Sequence, residues 1–203
     1  FLNPFTAKLG YDIPPWDFSI PGVWSISADL HKYGYTTKGA SVIMFRNEDL
    51  REFSAFRFNN WPFGSYLTTT MTGSRSGGAV AAAWAVMQYL GEEGYVKAAQ
   101  ELMNVRDKLI KTIEEIEELQ VFGQPSGAIV TYGSTELDIT AVADAMEQRD
   151  WAIGRGKTPP AILFQSAPFL SKSIDQYIED LKASVEDVRE GRVVSSGKDA
   201  GYN

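Results

Sequence analysis

"SISADLHKYGYTTKGASVIMF", residues 25–45, holds the only histidine of the chain, His31, with Lys32 directly behind it. Residues 23–29 alternate well enough to read as a strand. Residues 41–45, "SVIMF", form a second strand that is continuously apolar, the pattern of a sheet covered on both faces. Lys32 therefore follows the carboxyl end of a strand, where ligands usually bind in α/β sheets. An amine nucleophile must lose its proton near neutral pH, which burial and neighbouring positive charge promote; Lys38 is the nearest further cation along this loop. On composition alone, a surface lysine in a strand-to-loop turn is the plainer reading. His31 suits hydrogen-bonded packing, a phosphate or a stacked cofactor ring, and packing is the plainer of these.

Upstream, residues 1–22 are rich in proline and aromatics and read as a loop that packs on something. Downstream, residues 46–64 are charged, then aromatic ("FRFNNWPFG"), and read as a surface excursion ending in a turn. The Thr/Ser/Gly cluster of residues 68–78 feeds a helix over 79–90 that is apolar almost all round, as buried helices are. After "GEEGY", Val96, Ala99, Leu102, Leu109, Ile113 and Ile116 recur at helical spacing, which predicts a long amphipathic helix. Residues 121–125 read as a turn. Strands are expected over 128–132 and 161–166, and a helix over 138–151 that Asp138 can cap. A closing helix over 170–190 has Ile174, Ile178, Leu181, Val185 and Val188 on one face, and residues 191–203 read as a loose polar tail.

The totals exclude several classes. With 203 residues, 44% hydrophobic and 12% aromatic, the chain can bury a real core and is a poor candidate for disorder. A formal net charge of −7 argues against nucleic acid as a partner. No apolar run approaches the roughly 18 residues of a membrane span. With no cysteine, disulfides and thiolate metal sites are excluded, and a lone histidine makes zinc a poor fit. The composition fits a reducing cytoplasm. The chain opens Phe1-Leu2-Asn3-Pro4-Phe5 without a secretory pattern, so a fragment or one chain of a split protein is expected.

"GSRSGG", residues 73–78, is a Gly/Ser loop opening a helix, whose N–H groups could hold a phosphate. It lacks the GxxxxGK[ST] and GxGxxG patterns, and an ordinary helix start is the plainer reading. "EEIEELQ" is most simply a solvated helix face, and the aromatics of "FRFNNWPF" most simply pack in a core or interface.

Taken together, these residues go further. "SISADLHKYGYTTKGASVIMF" resembles the lysine segment of pyridoxal-phosphate-dependent lyases in the group II decarboxylase superfamily, nearest to its sphingosine-1-phosphate lyase branch. The likeness extends through "PF…LGY…DF…GVWSIS" upstream and "GSRSGGAVAAAWAVMQYLGEEGY" downstream, over roughly residues 1–135. It implies that Lys32 binds pyridoxal 5′-phosphate covalently and that His31 lies against the cofactor phosphate. It also implies that Gly73, Ser74 and Arg75 approach the phosphate of a partner subunit's cofactor, in a homodimer with shared active sites. Lys38 would sit near the substrate's phosphate or assist proton transfer.

The implied fold class is α/β, a fold-type-I pyridoxal-phosphate enzyme. Residues 1–110 would close the large, mostly parallel-sheet domain, and residues 111–203 would form a small α+β domain. The implied activity is carbon–carbon lysis of a phosphorylated long-chain base. An amino-acid decarboxylase is the alternative, and a non-catalytic dimerisation or scaffold chain the second. The branch's first phosphate loop, ring-stacking histidine and pyridinium-pairing aspartate have no counterpart here, so a companion amino-terminal segment is expected. "PPAILFQSAPF" also lacks the histidines that the branch tends to carry in its small domain.

Overall fold

Ser25–Asp29 (β1) and Ser41–Phe45 (β2) pair antiparallel with Asp29 directly opposite Ser41. A computed structural model describes residues 1–197, which fall into two compact units. The first comprises Phe1–Pro4 and Pro14–Glu93; the second comprises Phe5–Ile13 and the chain from Gly94 onward. The helix α1, Asn3–Lys8, lies in the stretch read as loop.

In the first unit, α2 (Glu48–Glu52) follows β2, and its first turn is capped by Asn47, whose side chain accepts from Leu50 N–H. Phe56–Trp61 (β3) and Gly64–Thr68 (β4) then form an antiparallel hairpin. The expected surface excursion is an ordered hairpin, and its residues are almost all exposed. Phe56, Phe58, Tyr66 and Trp61 form one run of ring contacts, and the register shifts between Phe58 and Trp61, which breaks the alternation; Trp61 packs edge-on against Phe63 and Tyr66, at centroid distances of 6.0 and 5.3 Å.

Gly77–Glu114 (α3) spans the apolar and amphipathic helices read separately from the sequence. The helical backbone breaks at Gly91 (φ 57, ψ −174), a left-handed φ that a side chain would strain. Two burial expectations fail in the first unit. Val42, Ile43 and Met44 of β2 are substantially exposed, and Val80 and Trp84 of α3 are 67% and 66% exposed. An apolar run records a surface that favours cover, but a two-stranded ribbon has no second layer to supply it. Leu30, Ala40 and Ala83, with Phe1 and Ala79 against them, form a small buried cluster in this unit.

The second unit is a sheet with helices on it. Gln120–Val121 (β5), Ile129–Gly133 (β6), Gly154–Lys157 (β7) and Pro160–Gln165 (β8) are ordered β5-β6-β8-β7, each pair antiparallel. Ile139–Glu147 (α4) is capped by Asp138, which accepts from Thr140 N–H, as its sequence position suggests. A 3₁₀ turn, Pro168–Lys172, leads into Ile174–Arg189 (α5), so the closing helix starts later than its periodicity implies.

Leu109 and Ile113 of α3, Val130 and Tyr132 of β6, Val142 and Met146 of α4 and Leu181 of α5 meet in one core, each fully buried. Each such aliphatic side chain contributes about 1.5–3 kcal/mol. The tail is not loose where it is described: Arg192 pairs with Asp187, and Ser196 N–H donates to Asp144 Oδ2 at 2.6 Å. Residues 198–203 of the expected tail lie outside the described residues.

Candidate functional site

The chain leaves β1 at Asp29 and turns within a few residues. Lys32 N–H donates to Asp29 O, Tyr35 N–H to Lys32 O and Thr36 N–H to Leu30 O, at 3.0 to 3.2 Å. Gly34 is required at the closest point, because a Cβ there would stand 2.4 Å from Leu30 O. The turn is anchored by buried Leu30 and by Ala40, the residue just before β2, whose carbonyl accepts from Leu30 N–H at 3.2 Å.

The same Ala40 carbonyl lies 3.1 Å from His31 Nδ1. A carbonyl only accepts, so Nδ1 carries a hydrogen, and Nε2 is the nitrogen left for a ligand. Lys32 Nζ pairs with Asp29 Oδ2 at 2.8 Å, the two side chains 59% and 38% exposed. Ser41 Oγ donates to Asp29 Oδ1 at 2.6 Å. The hydrogen bond from Lys32, then that from Ser41, draws the Asp29 carboxyl down to about 2. Asp29 and Ser41 were not singled out in the sequence. The i, i+3 spacing of Asp29 and Lys32 was the available signal, while Ser41 becomes a partner only through the strand register.

Before α3, Thr70 Oγ1 donates to Gly73 O at 3.1 Å, and Ser76 Oγ accepts from Gly78 N–H at 3.3 Å. A cleft of about 590 Å³ is lined by residues 39–42 on one side and by Gly73, Arg75, Ser76 and Gly77 on the other, with Val80, Trp84 and Met87 of α3. The fold thus brings the start of β2 and the Gly/Ser loop to one cleft. Lys38 and Ser74 are exposed and adjoin lining residues along the chain; His31 and Lys32 stand on the turn that Ala40 anchors.

This donor set suits an aldehyde-bearing phosphate ester. It offers a primary amine on a braced turn, an imidazole with one nitrogen uncommitted to Ala40, and an Arg beside a helix N-terminus.

The chain is 41% identical over 193 residues to the sphingosine-1-phosphate lyase of Arabidopsis thaliana, covering 93% of this chain and 35% of that protein. It is 35% identical over 191 residues to sphingosine-1-phosphate lyase 1 of Mus musculus, covering 93% and 34%. The chain is a homologue of sphingosine-1-phosphate lyases. It spans about a third of the length of these curated relatives. Among solved structures, it matches the sphingosine-1-phosphate lyase of Burkholderia pseudomallei with a TM-score of 0.89 at 36% identity, over 94% of this chain and 44% of that one. It matches a Lactobacillus brevis glutamate decarboxylase with a TM-score of 0.70 at 18% identity, over 88% and 44%, a likeness of fold alone. The expected fold-type-I class therefore holds. No protein-family model matches the chain.

Proposed function

We propose that this chain supplies the lysine-bearing part of a pyridoxal-5′-phosphate-dependent carbon–carbon lyase acting on a phosphorylated long-chain base. The observation that carries the reading is the braced His31–Lys32 turn at the end of β1, in a chain 41% identical to a sphingosine-1-phosphate lyase. When bound, the cofactor supplies an electron sink for the pair released at the substrate's α-carbon. Lys32 anchors it and is the group placed to carry a proton at that carbon. His31 Nε2 and the Gly73–Ser74–Arg75 stretch bind phosphate, the latter in the partner subunit's site. Lys38 attracts the substrate's own phosphate. The carbinol hydroxyl loses its proton to solvent as the bond to the α-carbon breaks, the α-carbon takes up a proton by way of Lys32, and long-chain aldehyde and phosphoethanolamine leave.

The reading includes a large-domain portion, residues 1–110, and a small domain, residues 111–203. It also includes a homodimer and a companion amino-terminal segment. The exposed apolar surfaces of Ile43, Trp84 and the β3–β4 hairpin support such neighbours. A cytoplasmic location is supported by the absence of cysteine, and among the described residues no helix is long and apolar enough to cross a membrane.

The test is borohydride reduction of the native protein, then denaturing mass spectrometry with peptide mapping. A phosphopyridoxyl group on Lys32, lost in Lys32→Ala, is expected; its absence with cofactor added and the companion segment present refutes the reading. Aldehyde release from a phosphorylated amino alcohol then supports the lyase, whereas carbon dioxide from an amino acid would replace it with a decarboxylase.

A further inference from the structure

Asp29 is not explained by the cofactor contacts above. It is the last residue of β1, in register with Ser41 at the start of β2. The Ser41 hydroxyl holds Oδ1 at 2.6 Å, which fixes the carboxylate's rotation and presents Oδ2 to Lys32 Nζ at 2.8 Å. The backbone bond from Lys32 N–H to Asp29 O keeps the two residues on one turn. A strand pairing, a side-chain hydrogen bond and a turn therefore converge on the amine assigned to the cofactor.

We propose that Asp29 gates cofactor capture, holding Lys32 as an ammonium until the aldehyde arrives. The inference rests on the reading of Lys32 as the cofactor lysine. Only the neutral amine has a lone pair to attack the aldehyde carbon. Lys32 first gives up a proton to solvent; the C–N bond then forms, and the carbonyl oxygen leaves as water with the amine's two remaining hydrogens. A carboxylate in contact favours the ammonium form and so opposes the first step. His31 on the same turn also acts on Asp29, and Arg75 stands on the loop that lines the same cleft as Ser41. Ser41, facing Asp29 from β2, is neutral. Because both side chains are partly in solvent, the effect is modest, about two- to fivefold in rate at neutral pH. Asp29 is in this sense a positioning residue.

The experiment strips the purified protein of cofactor and follows capture of added pyridoxal 5′-phosphate by absorbance across pH, locating the adduct by reduction and peptide mapping. Asp29→Asn is expected to capture about two- to fivefold faster at neutral pH, with its pH midpoint moved down. Asp29→Glu should restore the wild-type profile. Salt supplies an arm independent of the variants' folding: it screens an exposed pair, so the wild-type midpoint should also move down as salt rises. A midpoint unmoved by either Asp29→Asn or salt, with the adduct present on Lys32, overturns the gating role and leaves the cofactor assignment standing. No adduct on Lys32 in the wild type overturns both.

Discussion

Tyr132 and Tyr177 meet hydroxyl to hydroxyl at 2.9 Å inside the second unit, one from β6 and the other from α5. Both are buried, and Trp151 lies edge-on to Tyr177 with centroids 5.0 Å apart. Burial first, and the neighbouring ring hydroxyl second, push Tyr132 well above the ordinary phenol value, while burial pushes Tyr177 up to about 12. Both phenols stay protonated across the physiological range, and the bond persists. Tyr132→Phe and Tyr177→Phe should each cost about 1–2 kcal/mol, since each leaves one hydroxyl without its partner. The double variant should cost less than the sum of the two, read as a coupling in urea-unfolding free energies.

Arg155, 4% exposed, pairs with Asp144 at 2.6 Å and Glu147 at 3.1 Å. Removing the cation in Arg155→Met leaves two carboxylates at a buried site and should destabilise the second unit by about 3–5 kcal/mol. Equilibrium unfolding measures this directly.

The described tail makes acid resistance depend on residue 196. Burial raises the Asp144 carboxyl, but the Ser196 N–H and the Arg155 guanidinium overcome it, leaving it below its ordinary value. A carboxyl depressed in the folded state stabilises above its unfolded value of about 3.9, and that stability is lost as pH falls through the folded value. Ending the chain at Glu190 removes the Ser196 donor and weakens the depression. The acid-unfolding midpoint, followed by circular dichroism, should move to higher pH.

Gly34→Ala places a Cβ where Leu30 O already stands, 2.4 Å away. The turn carrying His31 and Lys32 must shift, at a cost of about 1–3 kcal/mol. Cofactor affinity should fall at least about tenfold while the second unit's melting is unchanged. Equilibrium dialysis and calorimetry together separate the two effects.

Ile43, Trp84 and Val80 are each more than half exposed in the isolated chain. Surfaces of this kind self-associate. The isolated 203-residue chain should sediment as oligomers or aggregate; Ile43→Lys with Trp84→Gln should shift it toward monomer in analytical ultracentrifugation. A soluble, cooperatively melting wild-type monomer would contradict this.

Much of the second unit was legible because its signals are local. The apolar face of α5 repeats at helical spacing, Asp138 stands where a cap must, and "AIVTY" and "AILFQS" fall on β6 and β8. β7, "GRGK", holds no apolar residue, so it carries no apolar alternation. It is an edge strand whose Gly154 passes so close to Leu163 that a Cβ would lie 2.8 Å from the Leu163 carbonyl oxygen. The period of the β3–β4 hairpin is broken by its register shift between Phe58 and Trp61, which local alternation does not record.

By itself the sequence determined that a strand ends just before His31 and Lys32, and that a Gly/Ser loop opens a long helix. It determined as well that a cysteine-free acidic chain holds no thiolate metal site. These follow from local periodicity, from turn chemistry and from which functional groups exist at all. Only the tertiary structure decided that Ser41 orients Asp29 toward Lys32, and that residues 39–42 and 73–77 share one cleft. It alone joined Ser196 to Asp144. Asp29 with Ser41, residues 39–42 with 73–77, and Asp144 with Ser196 are each separated along the chain, so they depend on strand register and helix packing, which no local pattern records.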